Sequence, residues 1–474
     1  MPKIKALLVL CTLTALCGCL KPHYIPPCLD LPQEWRLQGD EGSTLGNCRW
    51  WEQFEDPVLN DLITAALQNN QDLKVAIKRV LEFSAQLGIT NAALYPEVSL
   101  SGSYTRYELP RSLPTGPLPG YGRVFNDYLG LLNFSWALDF WGKARSASEA
   151  SYADLLGSVE ARRAVVITVV SSVASAYIGL RELDAQLHIS KETLQTRRDA
   201  LMLATHRFEA GETSELEVKQ AESEVETAAI LVIQFERDIP KQENLLSILV
   251  GENPRRIERG RTIEAFQYPL VIPAGLPSDL LQRRPDIIQA EESLIAANAR
   301  ITEAKALFFP QISLTGDYGK QSDTLSLFLS NPAEMWQYGL SFTQLIFNAG
   351  KTVSQVKLAK AQREEALYTY FQTILTAFRE VEDALITYRK NRELVLENHK
   401  QVKVLGEYKD LAQLRYNEGE TDYLNVLDAE RQLLNAQLEL VQAQANSFIA
   451  VVQLYSALGG GWVYDADNIA IYSP

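Results

Sequence analysis

Few residues in this chain have the type and spacing that bond-making chemistry needs. Its four histidines, His23, His188, His206 and His399, are dispersed with no HExxH spacing, and its five cysteines form no CxxC pair. No Walker-type phosphate loop, no GxSxG elbow and no GxGxxG following a strand is present. The sequence therefore predicts no enzyme, no cofactor and no bound metal. What it carries twice is a polar turn. Arg207, Phe208, Gly211, Glu212 and Thr213, within HRFEAGETSELEVKQAESEVETA (His206–Ala228), recur as Arg415, Tyr416, Gly419, Glu420 and Thr421 within LRYNEGETDYLNVLDAERQLLNA (Leu414–Ala436). Guanidinium, aromatic and carboxylate groups around a turn attract or repel ions and exchange hydrogen bonds. That chemistry makes and breaks contacts and leaves covalent bonds alone.

The elements that must position these turns are duplicated with them. The shift between copies is 208 residues, and it also relates Gly142-Lys143 to Gly350-Lys351 and Gly251 to Gly459. In each copy a helical pattern stops at Gly and restarts behind a Thr, which predicts two helical hairpin tips turning at Gly211 and Gly419. Before each tip, residues 143–210 and 351–418 read as uninterrupted helix, roughly 100 Å long at 1.5 Å per residue. Leu367, Phe371, Ile374, Phe378, Val381, Leu385 and Tyr388 form a heptad seam, with Val166, Val170, Val173, Tyr177 and Leu180 as its counterpart. Return helices are expected over 214–250 and 422–458, the first bent at Pro240 and the second, with Phe448 there, straight.

Upstream of each long helix the apolar period changes from about 3.5 to 2. An opening helix starts at the Asp56-Pro57 cap and is expected to run to Tyr95-Pro96. Val98, Leu100, Gly102 and Tyr104 then alternate with Ser99, Ser101, Ser103 and Thr105. After a loop rich in Pro and Gly, Tyr128, Leu132, Phe134, Trp136 and Leu138 share a face opposite Asn133, Ser135 and Asp139. The second copy repeats this with Ile312, Leu314 and Tyr318, then Trp336, Tyr338, Leu340 and Phe342. Apolar and aromatic residues on one face with polar residues on the other predict two transmembrane hairpins, about 97–141 and 311–348. Pro96 and Pro310 differ by 214, so the first hairpin carries six extra residues, expected in its external loop.

The N-terminus supplies two lysines, an apolar run from Ala6 to Leu16 and then Leu16-Cys17-Gly18-Cys19. This run is too short to span a bilayer and has the layout of an export signal, residues 1–18. Its ending resembles the lipobox of bacterial lipoproteins, which implies cleavage before Cys19 and diacylglycerol on its sulfur. With Leu at 20 and not Asp, nothing retains the lipoprotein in the inner membrane. No other stretch is expected to cross a membrane as a helix, so any crossing is by strands. Residues 19–55, rich in Pro and Trp, read as a strap from the acylated Cys19 to the body. Cys28 and Cys48 remain after the leader and either pair, worth about 3 kcal/mol in the chain-entropy picture, or stay as thiols. The charge, −14 from 45 basic and 59 acidic residues, excludes nucleic acid as a partner.

The chain thus divides into a first repeat, 56–251, a connector interrupted by Pro and Gly, 252–278, a second repeat, 279–459, and a tail, 460–474. Ser278 or Asp279 is expected to cap the helix that opens the second repeat. Four strands cannot close a barrel, and lipid tolerates no open edge, so the class is mainly α with a membrane β-barrel portion completed by other copies.

Asp56-Pro57-x-Leu59-x-x-Leu62-Ile63, Leu276-Pro277-Ser278-Asp279-Leu280-Leu281-x-Arg283-Arg284-Pro285-Asp286-Ile287, Arg415-Tyr416-x-x-Gly419 and Leu427-Asp428-Ala429 together resemble the TolC family of outer-membrane efflux channels, over essentially the whole mature chain. Within that family the chain is similar to the acylated branch serving resistance-nodulation-division pumps. The resemblance implies a homotrimer with a twelve-stranded barrel continued by a twelve-helix periplasmic tunnel. It also implies a periplasmic adaptor and an inner-membrane transporter of that class as partners, and outer-membrane lipid around the barrel. It places a gate at the tips, with Tyr416 as the aromatic and Asp428 as the lower acidic position. The family's upper acidic position falls on Asn425, and the Arg five residues after the aromatic falls on Thr421. Glu420 and Asp422 stand in for the missing charges, with Glu215 and Glu217 of the first copy as further candidates. Three copies of Asp428 near a narrow axis would repel one another and favour cations. A protein-secretion duct of the same family and a periplasmic coiled-coil scaffold are the alternatives at this point.

Overall fold

The computed structural model describes residues 24–29, 32, 35, 36, 49–110, 124–266 and 277–460. Cys19, Cys48, the external loop 111–123 and the tail after Gly460 lie outside the described residues, and Cys28 is an exposed free thiol. The elements in order are α1 (Pro57–Asn69), α2 (Gln71–Ala92), β1 (Glu97–Glu108), β2 (Val124–Leu138), α3 (Lys143–Glu209), α4 (Glu215–Val250), α5 (Pro285–Ala306), β3 (Gln311–Ser322), β4 (Glu334–Thr343), α6 (Lys351–Asn417) and α7 (Tyr423–Ala457). Two compact units are formed, one from Val80–Ser158 and Ala290–Tyr370 with the N-terminal end, the other from Cys28–Arg79, Val159–Gln289 and Phe371–Pro474.

The first unit holds a four-stranded antiparallel sheet in the order β1-β2-β3-β4. The two hairpins meet along β2 and β3, so this sheet joins the repeats. Its register places Val98 opposite Phe134, Leu132 opposite Tyr318, and Ile312 opposite Phe342. All the apolar positions of the alternation therefore fall on one face. Much of that face is open among the described residues, with Leu100 82% exposed, Tyr338 77%, Leu340 70% and Trp336 68%, while Phe328 lies against it at Gly130. Gly319 sits where a Cβ would come within 2.0 Å of the Gly130 carbonyl oxygen, so the β2–β3 seam closes only without a side chain there. Below the sheet, Trp141 stacks on Phe309 with ring centroids 4.8 Å apart and donates Nε1–H to the Pro310 carbonyl at 2.7 Å.

In the second unit the seam residues Val170, Val173, Tyr177 and Leu180 of α3 are fully buried, as is Val381 of α6. Phe448 packs on Phe54 and Phe266, and Trp50 stacks on Tyr455 at 5.5 Å. Helix α4 runs unbroken through Pro240. One 18-residue window of α3 has mean hydropathy 1.7 and is, by length and composition only, apolar and long enough to cross a membrane. More than half of it is buried within the protein, the ordinary condition of a core helix.

Two expectations are corrected here. The opening helix is broken at Asn70, whose extended backbone ends α1. Its Nδ2 donates to the Leu249 carbonyl at 2.7 Å while its Oδ1 accepts from the Leu73 amide, tying the break to the end of α4. Neither Ser278 nor Asp279 caps α5. Asp279 precedes a single turn, Leu280–Arg283, and α5 restarts at Pro285, which forces Arg284 before it into extended backbone; the Arg284 side chain bonds Asp286, Glu380 and the Ala457 carbonyl.

Asp56 is the point where the connector is fastened. Fully buried, its carboxylate accepts from the Val58 and Leu59 amides at the start of α1, from the Tyr177 hydroxyl at 2.9 Å and from the Arg261 amide at 2.9 Å. Gly260 passes so close that a Cβ would meet Asp56 Oδ1 at 2.1 Å. Farther along α3, burial pushes the Glu182 carboxyl up to about 7.

Asp56→Ala should lower unfolding free energy by on the order of 3 kcal/mol, since several buried donors lose their acceptor together; a denaturation midpoint unchanged from the parent would contradict this. Glu182 has a folded-state pKa above its unfolded value, so its favourable contribution is complete below about 4.5 and disappears as pH rises through about 7. Glu182→Gln should accordingly raise the melting temperature at pH 8 and leave it nearly unchanged at pH 4.5.

Candidate functional site

The two tips are built alike. At each, the helix ends on a glycine in the left-handed region, φ +75° at Gly211 and +74° at Gly419. The following amide then reaches back five residues, Glu212 N–H to Arg207 O at 2.8 Å and Glu420 N–H to Arg415 O at 2.9 Å. This Schellman turn satisfies the last carbonyls of α3 and α6. The restart differs from expectation by one residue: Ser214 and Asp422, not the threonines, take the N-cap positions, and neither side chain caps. Thr213 Oγ1 instead donates to Glu217, and Asn425 Nδ2 donates to Thr421 Oγ1 at 2.5 Å.

Tyr416 is the centre of the tip. Its hydroxyl donates to Glu217 Oε2 at 3.0 Å and accepts from Arg207 Nη1 at 3.3 Å. The Arg207 guanidinium carbon lies 5.7 Å from the Tyr416 ring centroid, and the Tyr423 ring 5.2 Å away. Burial, reinforced by the Glu217 carboxylate, holds the Tyr416 hydroxyl above its ordinary range, and burial first of all pushes Tyr423 up to about 12. Both rings stay neutral hydrogen-bonding groups at physiological pH. Ala204, Ala221, Ala412, Val426, Leu427 and Ala429 make the dry floor beneath them.

The layer above is ionic. Buried Arg197 bonds both the Glu224 carbonyl and its carboxylate at 2.9 Å, and burial raises the pKa of Glu430 nearby. Asp428 accepts from Arg431 and Gln432 of its own helix, each at 2.6 Å. It lines a cavity of about 420 Å³ with Asn425, Gln220, Ser223 and Glu224. Glu420 pairs with Arg415 at 3.3 Å in an exposed position.

The structure thus brings Tyr416 together with Glu217, and Asn425 together with Asp428, while Glu420 and Asp422 stay at the exposed turn. Sequence reasoning missed Arg207 as the cation on Tyr416. It sought that charge at the Thr421 position, in the same copy. The signal was present in the repeat itself, because Arg207 is the counterpart of Arg415 and belongs to the turn facing Tyr416. Arg431 as the partner of Asp428 was also missed, although its i+3 spacing announces it.

The model of the family described as outer membrane efflux protein matches residues 62–252 and 276–460. The chain belongs to that family. Among its relatives, the solvent efflux pump outer membrane protein SrpC of Pseudomonas putida is 36% identical, with 94% of this chain and 96% of the relative covered. The cation efflux system protein CusC of Escherichia coli K12 is 32% identical over 96% of this chain and 99% of its own length. Among solved structures, the CmeC outer membrane channel of Campylobacter jejuni superposes with a TM-score of 0.89 at 26% identity, covering 96% of this chain and 98% of that one. The open state of the MtrE channel of Neisseria gonorrhoeae gives 0.84 at 28% identity, with 94% and 98% covered. This outer membrane efflux protein is the outer-membrane channel component of a tripartite efflux system.

Tyr416→Phe and Arg207→Ala should be coupled by about 0.5–1.5 kcal/mol in a double-mutant cycle, because one hydroxyl serves both residues. Hydrogen exchange of the Glu212 and Glu420 amides reads that coupling, and strictly additive effects would separate the two side chains.

Proposed function

We propose that this efflux protein works as a homotrimer whose tips form a gate, conducting cargo passively from an inner-membrane pump of the resistance-nodulation-division class and its periplasmic adaptor to the outside. One observation carries the reading: among the described residues, a four-stranded sheet whose two outer edges are unpaired and whose apolar face is largely open, Tyr338, Leu340 and Phe342 being 77%, 70% and 66% exposed. Such a sheet is stable in lipid only when other copies close it. Three copies of four strands give a barrel wide enough for a channel, where two would give a filled one. Exposed leucines and valines along α6, among them Leu375, Leu396, Val404 and Leu411, support the same assembly.

At the tips, Asp428 supplies the constriction and Tyr416, with Arg207 and Glu217, the latch. Asn425, Asp422 and Glu420 line the approach. Opening separates the two hairpins of each protomer, exchanging the Tyr416 bonds for water when an adaptor engages them. Acylation of Cys19 anchors the strap in the outer membrane. Relatives of comparable identity are named for solvent, toluene and cation efflux, which supports a tunnel that leaves the choice of cargo to the pump and catalyses no reaction.

In planar bilayers the purified protein should insert as a heat-labile trimer with a small resting conductance. Asp428→Ala should raise its cation conductance severalfold without changing trimer yield. An unaltered conductance would remove Asp428 from the constriction, and protein that never inserts would overturn the channel reading.

A further inference from the structure

The turn that joins β3 to β4, residues 323–333, has the wrong composition for a solvated external loop. Leu325, Leu327, Phe328 and Leu329 follow one another closely, and the three leucines are 57%, 50% and 75% exposed. The segment is nevertheless folded. It makes one helical turn, Leu325–Phe328, closed by the Phe328 amide donating to the Thr324 carbonyl at 3.0 Å. Ser330 ends that turn by donating its amide at 2.9 Å and its hydroxyl at 2.6 Å to the Leu327 carbonyl. With these backbone groups satisfied internally, the element can hold its leucines against an apolar medium.

Phe328 fixes where the element lies. Its ring fills the space in front of Gly130, where a Cβ would meet Phe328 Cζ at 2.9 Å. Gly130 belongs to the apolar row of β2, and the repeat shows what is missing from it. Shifted by 208 residues, Tyr128, Leu132 and Phe134 become Trp336, Leu340 and Phe342, large groups in both copies, whereas Gly130 becomes Tyr338. The first copy has replaced a ring of its own with one supplied by the turn.

The register sets its level. Gly130 faces Gly102 on one side and Lys320 on the other, and the rows flanking this one carry Tyr104 with Tyr128, rings 4.7 Å apart, and Tyr318 with Trp336. Aromatic rows of this kind mark the boundary between headgroups and hydrocarbon. Gly130 and Lys320 lie on the two inner strands, so a copy pairing at the outer edges adds strands beyond β1 or β4 and leaves the leucines uncovered. Resting on the reading of this sheet as the lipid-facing wall of the channel, we infer that residues 323–333 form an interfacial anchor: Phe328 plugs the notch at Gly130, and Leu325, Leu327 and Leu329 insert among the acyl chains of the outer leaflet. The occupant is lipid because the leucines continue the apolar face that lipid covers, and because the turn carries no charge after Asp323.

The test places a fluorophore on one introduced cysteine at a time in full-length protein with Cys28 and Cys48 changed to Ser, reconstituted in phosphatidylcholine bilayers that carry a nitroxide close to the headgroup. Labels at Leu327→Cys and Leu329→Cys should be quenched about threefold more than a label at the tip, Glu420→Cys, and should be shielded from iodide in the water. Adding Gly130→Leu, which displaces the Phe328 ring, should remove at least about half of that quenching; unchanged quenching overturns the seat at Gly130. Turn labels as open to iodide as the tip label overturn the anchor. Labels shielded from both quenchers are covered by protein, which overturns lipid as the occupant. A label at Leu340→Cys on the wall itself separates the two readings: if nitroxides along the acyl chain fail to quench it, the lipid-facing wall falls, and if they succeed while the turn labels stay in water, only this inference does.

Discussion

A backbone amide or carbonyl in hydrocarbon must find a partner, and this single requirement dictates most of what the chain does. The sheet β1–β4 satisfies its inner rows and leaves two outer rows bare, so the molecule is unfinished by construction. The duplication gives one chain both an internal seam, held at Gly319, and the two half-seams at its edges. Long helices on either side then need continuous apolar stripes, which explains why α3 is hydrophobic enough to be mistaken for a membrane span.

Much of this was legible in the sequence because it is periodic. The switch of period at Val98, the face shared by Phe134 and Trp136, and the glycines at 211 and 419 each encode a backbone geometry locally. Features set by a single long-range contact were less legible. Asn70 breaks the first helix because it reaches the Leu249 carbonyl, and nothing near Asn70 in sequence says so. Arg284 collects Asp286, Glu380 and the Ala457 carbonyl beside the break that Pro285 imposes, and those partners are likewise silent in the sequence around it. At the tip, Tyr416 and Asp428 were found by their motifs, while Arg207 was hidden because it comes from the other copy.

The two copies have diverged where function differs and not where the fold requires them alike. Helix bounds, tip turns and strand registers are conserved between them. The tips are not equivalent chemically: one brings Arg207 and Glu217, the other Tyr416 and Asp428, and the latch exists only where they face each other. An even distribution of charge between copies would have produced two self-contained turns with nothing to hold them together.

Asp56 also has a temporal meaning. Its acceptors' partners lie far along the chain, Tyr177 at a separation of 121 residues and the Arg261 amide at 205. The buried site around Asp56 therefore cannot be completed until more than half the polypeptide has been delivered, and contacts of such long range form slowly. The N-terminal segment must wait in an unfinished state, with apolar stripes uncovered, in a compartment where aggregation competes with folding. A variant that loosens the Asp56 knot therefore leaves that segment unfinished for longer.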